Sequence, residues 1–117
     1  MNLKKAKEFC MALPGATQDI KWGDNLVFSV GEKMFAVMHD DAQARSISFK
    51  VDDDRFLELT DRAGIIPAPY LARAKWVQVE DLAALPDTEA KELLKRAHQL
   101  VFAKLTRKLQ REIEGAA

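Results

Sequence analysis

Cysteine is nearly absent. Cys10 is the only one, so the chain can form neither an intrachain disulfide nor a cysteine-based zinc site, and this fits a reducing compartment. Imidazoles are almost as scarce: His39 and His98 fall on different predicted elements, which leaves little material for a Ser/His/Asp or Cys/His site. The five glycines, Gly15, Gly23, Gly31, Gly64 and Gly115, stand too far apart for a dinucleotide fingerprint or a P-loop. No segment approaches the roughly 20 apolar residues that cross a bilayer, and the lysines of the first ten residues precede no apolar run of signal length. The cytoplasm is therefore the expected location, with no membrane partner. Net charge is missing too, since 18 basic residues balance 18 acidic ones. Without a strong overall field, any electrostatic recognition must come from how the charges are distributed.

What remains is ordinary for a globular protein. With 48% hydrophobic and 31% charged residues in 117, the composition predicts a single folded domain over residues 1–117. A chain of this length buries roughly 65% of its unfolded surface, enough for one core. Leu3, Ala6, Phe9, Cys10 and Leu13 recur at helical spacing, with Asn2 as cap and Pro14-Gly15 as stop. Cys10 then belongs to the apolar stripe as a buried, unreactive thiol.

From Ile20 to Lys50 the period shortens. Runs at residues 19–22, 26–30, 34–38 and 45–50 are separated by turns too short for parallel crossovers, so they predict an antiparallel meander. Ile47 and Phe49 alternate with Ser46 and Ser48, giving the sheet one wet side. Asp52-Asp53-Asp54 start a helix that Gly64 ends, residues 65–75 read as a proline-containing loop, and residues 76–79 form a strand that joins the meander. After Pro86, with Asp87 as cap, Ala90, Leu94, Ala97, Val101, Leu105, Leu109 and Ile113 predict one long helix from Thr88 to about Ile113, packed across the sheet or on the first helix. The expected fold class is α/β of the α+β type: a two-layer sandwich whose antiparallel sheet is covered on one side by the N-terminal and long C-terminal helices.

The polar residues carry little catalytic patterning. His98 beside Leu94 and Val101 reads as a boundary residue with one ring nitrogen bonded. Neither Asp40-Asp41 nor the Asp52–Asp54 run has the spacing of a calcium loop, and caps and solvation account for them. No metal or cofactor is expected. More informative is the stretch 91–111, which holds seven cations, Lys91, Lys95, Arg96, Lys104, Arg107, Lys108 and Arg111, against the one acid Glu92. A solvated helix face accounts for some of this. The functional reading joins it to Lys50, Arg73 and Lys75 as a surface for a phosphate backbone, with Trp22, Tyr70 or Trp76 as stacking contacts.

The order of short motifs resembles the MmcQ/YjbR family. The matching pieces are Leu13-Pro14-Gly15-Ala16-Thr17 with Trp22-Gly23; Val30-Gly31 with Lys33-Met34-Phe35-Ala36; Ile47-Ser48-Phe49-Lys50; Pro67-Ala68-Pro69-Tyr70; Arg73-Ala74-Lys75-Trp76-Val77; and Leu100 through Leu105. The resemblance covers about residues 10 to 105. It implies a CyaY-like fold, also described as a double-wing DNA-binding fold, and a polar or basic set around the proline loop that matches Tyr70, Arg73, Lys75 and Trp76 here, with Lys50 ending the preceding strand. Many relatives have histidine in that loop where this chain has tyrosine or lysine, which argues against a role needing an imidazole. An iron-binding analogy with frataxin-type proteins needs an acidic ridge, whereas the first helix carries Lys4, Lys5 and Lys7 with only Glu8.

The resulting expectation is a monomeric, non-enzymatic DNA-binding domain whose contacts are Lys50, Tyr70, Arg73, Lys75, Trp76, Lys104, Arg107, Lys108 and Arg111. The alternative is an adaptor for an anionic small molecule or a protein, built on Tyr70, Arg73 and Trp76.

Overall fold

In the computed structural model, which describes residues 1–41 and 44–115, the chain forms an α/β sandwich. Ala42 and Gln43 of the predicted strand connection, and the last two residues of the predicted domain, lie outside the described residues. Six strands, β1 (Ala16–Lys21), β2 (Asn25–Val30), β3 (Lys33–Asp40), β4 (Arg45–Lys50), β5 (Ile65–Pro67) and β6 (Trp76–Val79), pair antiparallel in the order β1-β2-β3-β4-β6-β5. Four helices, α1 (Leu3–Ala12), α2 (Asp53–Thr60), α3 (Asp87–Phe102) and α4 (Arg107–Gly115), flank the sheet.

Alternation decides which face is dry. Ile47 and Phe49 on β4, with Val77 and Val79 on β6, are buried in the core, while Ser48 and Gln78 turn to the other face. On β3 a bulge breaks the period: Phe28 pairs with Ala36 and Ser29 with Met34, so Phe35 is the extra residue. Phe35 and Ala36 are consequently both buried. Helices α1 and α3 close the core through Leu3, Ala6 and Cys10, and through Ala90, Leu93, Leu94, Ala97 and Val101. Asn2 caps α1 by accepting from the Lys5 amide at 3.2 Å. Burial pushes the Cys10 thiol up to about 12. Its stabilising contribution is therefore complete below the ordinary thiol value of 9.0 and fades as pH rises from there towards 12. A thiol reagent at pH 8 is expected to leave native Cys10 unmodified and to label it in urea; rapid native labelling would contradict its burial.

Three expectations need correction. The segment 65–67 is a strand, not loop: Pro67 needs no amide donor on the edge strand β5, so its ring is tolerated there. Asp87 is the first residue of α3, and Pro86 occupies the cap position. The long helix is two helices. Thr106 Oγ1 accepts from the Leu109 amide at 3.2 Å and starts α4, while Gln110 Nε2 donates to the carbonyls of Phe102 at 2.9 Å and Leu105 at 3.2 Å, satisfying acceptors that the break exposes. The apolar spacing nevertheless survives the break. Leu105 is buried in the connection, and Leu109 and Ile113 pack on the core from α4.

An ionic network fastens α2 to α3. Arg62 grips Glu89 through two nitrogens at 2.7 and 2.8 Å and Glu58 at 2.8 Å, and Arg55 also reaches Glu89 at 3.0 Å. The Arg62 hydrogen bonds hold Glu89 below its ordinary value of 4.5. A depressed carboxylate stabilises the fold above that value and loses its contribution as pH falls through the lower, folded one. Glu89→Gln is thus expected to flatten the acid limb of a stability-versus-pH curve below about pH 4.5. An unchanged acid limb would remove the network's role.

Candidate nucleic-acid interface

The seven arginines divide in two. Arg45 pairs with Asp40 at 3.0 Å, Arg55 and Arg62 belong to the Glu89 network, and Arg96 grips Asp52 through two nitrogens at 2.8 and 2.9 Å. Arg73, Arg107 and Arg111 are exposed and, among the described residues, form no ion pair. Lys104 and Lys108 are likewise exposed, Lys50 and Lys75 are half-buried, and none of the four forms an ion pair among the described residues. Arg96 therefore does not count among the free cations of the basic stretch, because the α2 cap residue Asp52 neutralises it. Lys91 and Lys95 remain exposed on α3.

Topology gathers the unpaired cations. The β2–β3 turn, the end of β4, the start of β6 and the α3–α4 connection all lie at one end of the sheet. Lys50 ends β4 there, its ammonium donating to the Ala74 carbonyl in the short 3-10 turn that carries Arg73 and precedes Lys75. Lys104 shares a surface depression with Lys50. Burial and the neighbouring Lys104 charge lower the Lys50 ammonium below its ordinary range, with Asp53 opposing. Next along, Leu105 and Leu109 pack over Gly31 in the β2–β3 turn, and Ile113 packs over Gly15 before β1. Helix α4 thus runs along this end and carries Arg107, Lys108 and Arg111 with it. Acids are present here as well: Glu32 in the turn, Asp53 and Asp54 opening α2, and Glu112 and Glu114 on α4.

The aromatic expectations come apart. Trp76 is 4% exposed, packed beneath the proline loop whose Leu71 carbonyl accepts its amide at 3.2 Å, so it has no face to offer a ligand. Lys75, at φ +62°, places its ammonium 5.1 Å from the centre of the Phe56 ring. Tyr70, by contrast, is fully exposed at φ +67°. Trp22, at the β1–β2 turn with φ +51°, is 65% exposed.

Trp22 and Tyr70 both line a groove of about 460 Å³ on the helix-free face of the sheet, floored by Met34, Val37, Ser48 and Gln78. None of its lining residues is charged. The Gly23-Asp24-Asn25 turn was the sequence signal for an exposed tip at Trp22, but nothing in the sequence shows that the proline loop curls over the sheet.

The histidines are accounted for by hydrogen bonds. His98 is buried, donating from Nε2 to the Pro14 carbonyl at 2.7 Å and meeting Phe35 edge-on. His39 bridges Asn25 at 3.1 Å and Asp41 at 2.7 Å. Among the described residues no group of three or more His, Cys, Asp or Glu could hold a metal ion, and no helix is long and apolar enough to cross a membrane.

An antiparallel sheet covered by helices on one face and open on the other defines a small α/β sandwich. The YjbR family model matches residues 11–100, and the chain belongs to that family. It is similar to the Deinococcus radiodurans protein DR2400, which carries the DUF419 domain, at 28% identity and a TM-score of 0.84 over 97% of this chain and 88% of that one. A Pseudomonas syringae structural-genomics protein shares the fold at 22% identity and a TM-score of 0.71, over 86% of this chain and 99% of that one. No curated protein matches.

Proposed function

We propose that this chain is a non-enzymatic DNA-binding domain that holds the phosphate backbone with the cationic end of its sheet. The observation that carries this reading is the sorting of cations: Arg73, Arg107 and Arg111, with Lys50, Lys75, Lys104 and Lys108, lie at one end without ion-pair partners among the described residues. Tyr70 adjoins them in the proline loop. From β6 across to β1 is four strand spacings, about 19 Å. That spans roughly five phosphates at 3.4 Å of axial rise per strand. The helix-covered antiparallel sheet also supports placing the fold with the CyaY-like, double-wing DNA-binding proteins.

Phosphate contacts made by four or five cations give log K a slope of about −4 against log salt. Titration of a labelled oligonucleotide from 20 to 200 mM salt tests this, and an absence of binding at tens of micromolar protein in the lowest salt overturns it. The adaptor alternative loses Trp76 from its site. A thermal shift with an anionic metabolite that Arg73→Gln abolishes would favour that alternative.

A further inference from the structure

We infer that the groove between Trp22 and Tyr70 takes an unpaired base, so that the partner is single-stranded nucleic acid. This rests on the phosphate reading above and names the form of strand it concerns. The two aromatics are the most exposed large rings of the chain, and each is held at a positive φ that side chains rarely adopt. The groove volume, about 460 Å³, falls within the range of small-ligand sites, about 300–1,000 Å³. Its walls are apolar and aromatic, which suits the face of a base. Its polar members suit a base edge. Ser48 Oγ donates to Gln78 Oε1 at 3.4 Å, leaving the Gln78 amide nitrogen without a protein partner among the described residues.

Charge is complementary to a nucleotide. No charged side chain lines the groove, yet Lys50 stands two residues beyond Ser48 on the same face of β4, about 7 Å along the strand, where the cationic end begins. A base in the groove and its phosphate at Lys50 require a backbone free to splay its bases. A duplex keeps base faces stacked inside and presents only edges, so aromatic side chains reach base faces chiefly in single strands. Bases stacked on aromatic side chains beside a cationic track are the usual chemistry of single-strand binding.

The test uses a fluorescein-labelled mixed-sequence 12-mer and its duplex, titrated by anisotropy at 20 mM salt, while indole emission is followed in parallel. Trp76 is buried, so ligand-dependent quenching reports Trp22. Trp22→Gly and Tyr70→Gly keep backbones that tolerate positive φ, and their melting temperatures check that the fold is intact. The single strand is expected to bind about tenfold more tightly than the duplex, to quench Trp22, and to lose about tenfold with either substitution. Equal binding of both forms, unaffected by the glycine substitutions but weakened by Lys104→Gln, overturns the groove and leaves the phosphate reading standing. No binding of either form overturns both.

Discussion

Leu105→Ala is expected to lower the unfolding free energy by about 2 to 4 kcal/mol, among the largest losses a single side chain here can produce. Leu105 is buried in the α3–α4 connection, and its methyl groups lie where a side chain at Gly31 would begin, 2.7 and 2.8 Å from that position. Removing it leaves a void that Gly31, having no side chain, cannot fill. Gly31 is also fixed by its backbone at φ +56°, so Gly31→Ala strains the turn and collides with Leu105 and Leu109. Combined, the two substitutions should cost less than the sum of their separate effects, because the alanine methyl enters the void left by Leu105. Urea unfolding of the two single variants and the double variant measures this. A midpoint unchanged by Leu105→Ala, or strictly additive losses, would show that the contact does not hold α4 to the sheet.

The second large effect concerns binding. Lys104→Gln, Arg107→Gln and Lys108→Gln together remove three exposed cations that make no ion pairs among the described residues, so the fold should be unaffected. Each lost phosphate contact costs on the order of tenfold at low salt, so the triple variant is expected to bind DNA about a thousandfold more weakly. Its salt slope should be smaller by about 3. The matched control is Arg96→Gln. It removes a cation from the same basic stretch, but one already occupied by Asp52, and should change affinity little. A control loss of about a third of the triple variant's, on a logarithmic scale, would mean that net charge alone governs binding.

Much of the fold was legible because its core follows simple periods. Ile47 and Phe49 alternate with serines, and Ala90, Leu94, Ala97 and Val101 recur at helical spacing; these are the residues found buried. The helix break at residues 103–106 was hidden because Leu105, Leu109 and Ile113 keep the helical period across it. Only Thr106, a good cap residue, marked the interruption. Strand β5 was concealed by its three-residue length and by Pro67, which speaks against a central strand and is silent about an edge.

The site was less legible, since it depends on contacts between distant segments. Composition cannot say that Arg96 meets Asp52, 44 positions away, while Arg107 meets no acid among the described residues. Nor does strand spacing distinguish the buried Trp76 from the exposed Trp22, because burial of Trp76 comes from the loop folded over it. The wet face of the sheet was readable from Ser48 and Gln78. Its conversion into a groove required the positions of Trp22 and Tyr70.

The most direct measurement is anisotropy of a labelled duplex oligonucleotide with the parent chain, Arg96→Gln and the Lys104/Arg107/Lys108 triple variant, each over a salt series. The slope should be about −4 for the first two and about −1 for the triple variant, with affinities falling in the same order. Identical slopes for all three proteins would contradict the assignment of the unpaired cations as the phosphate-binding surface.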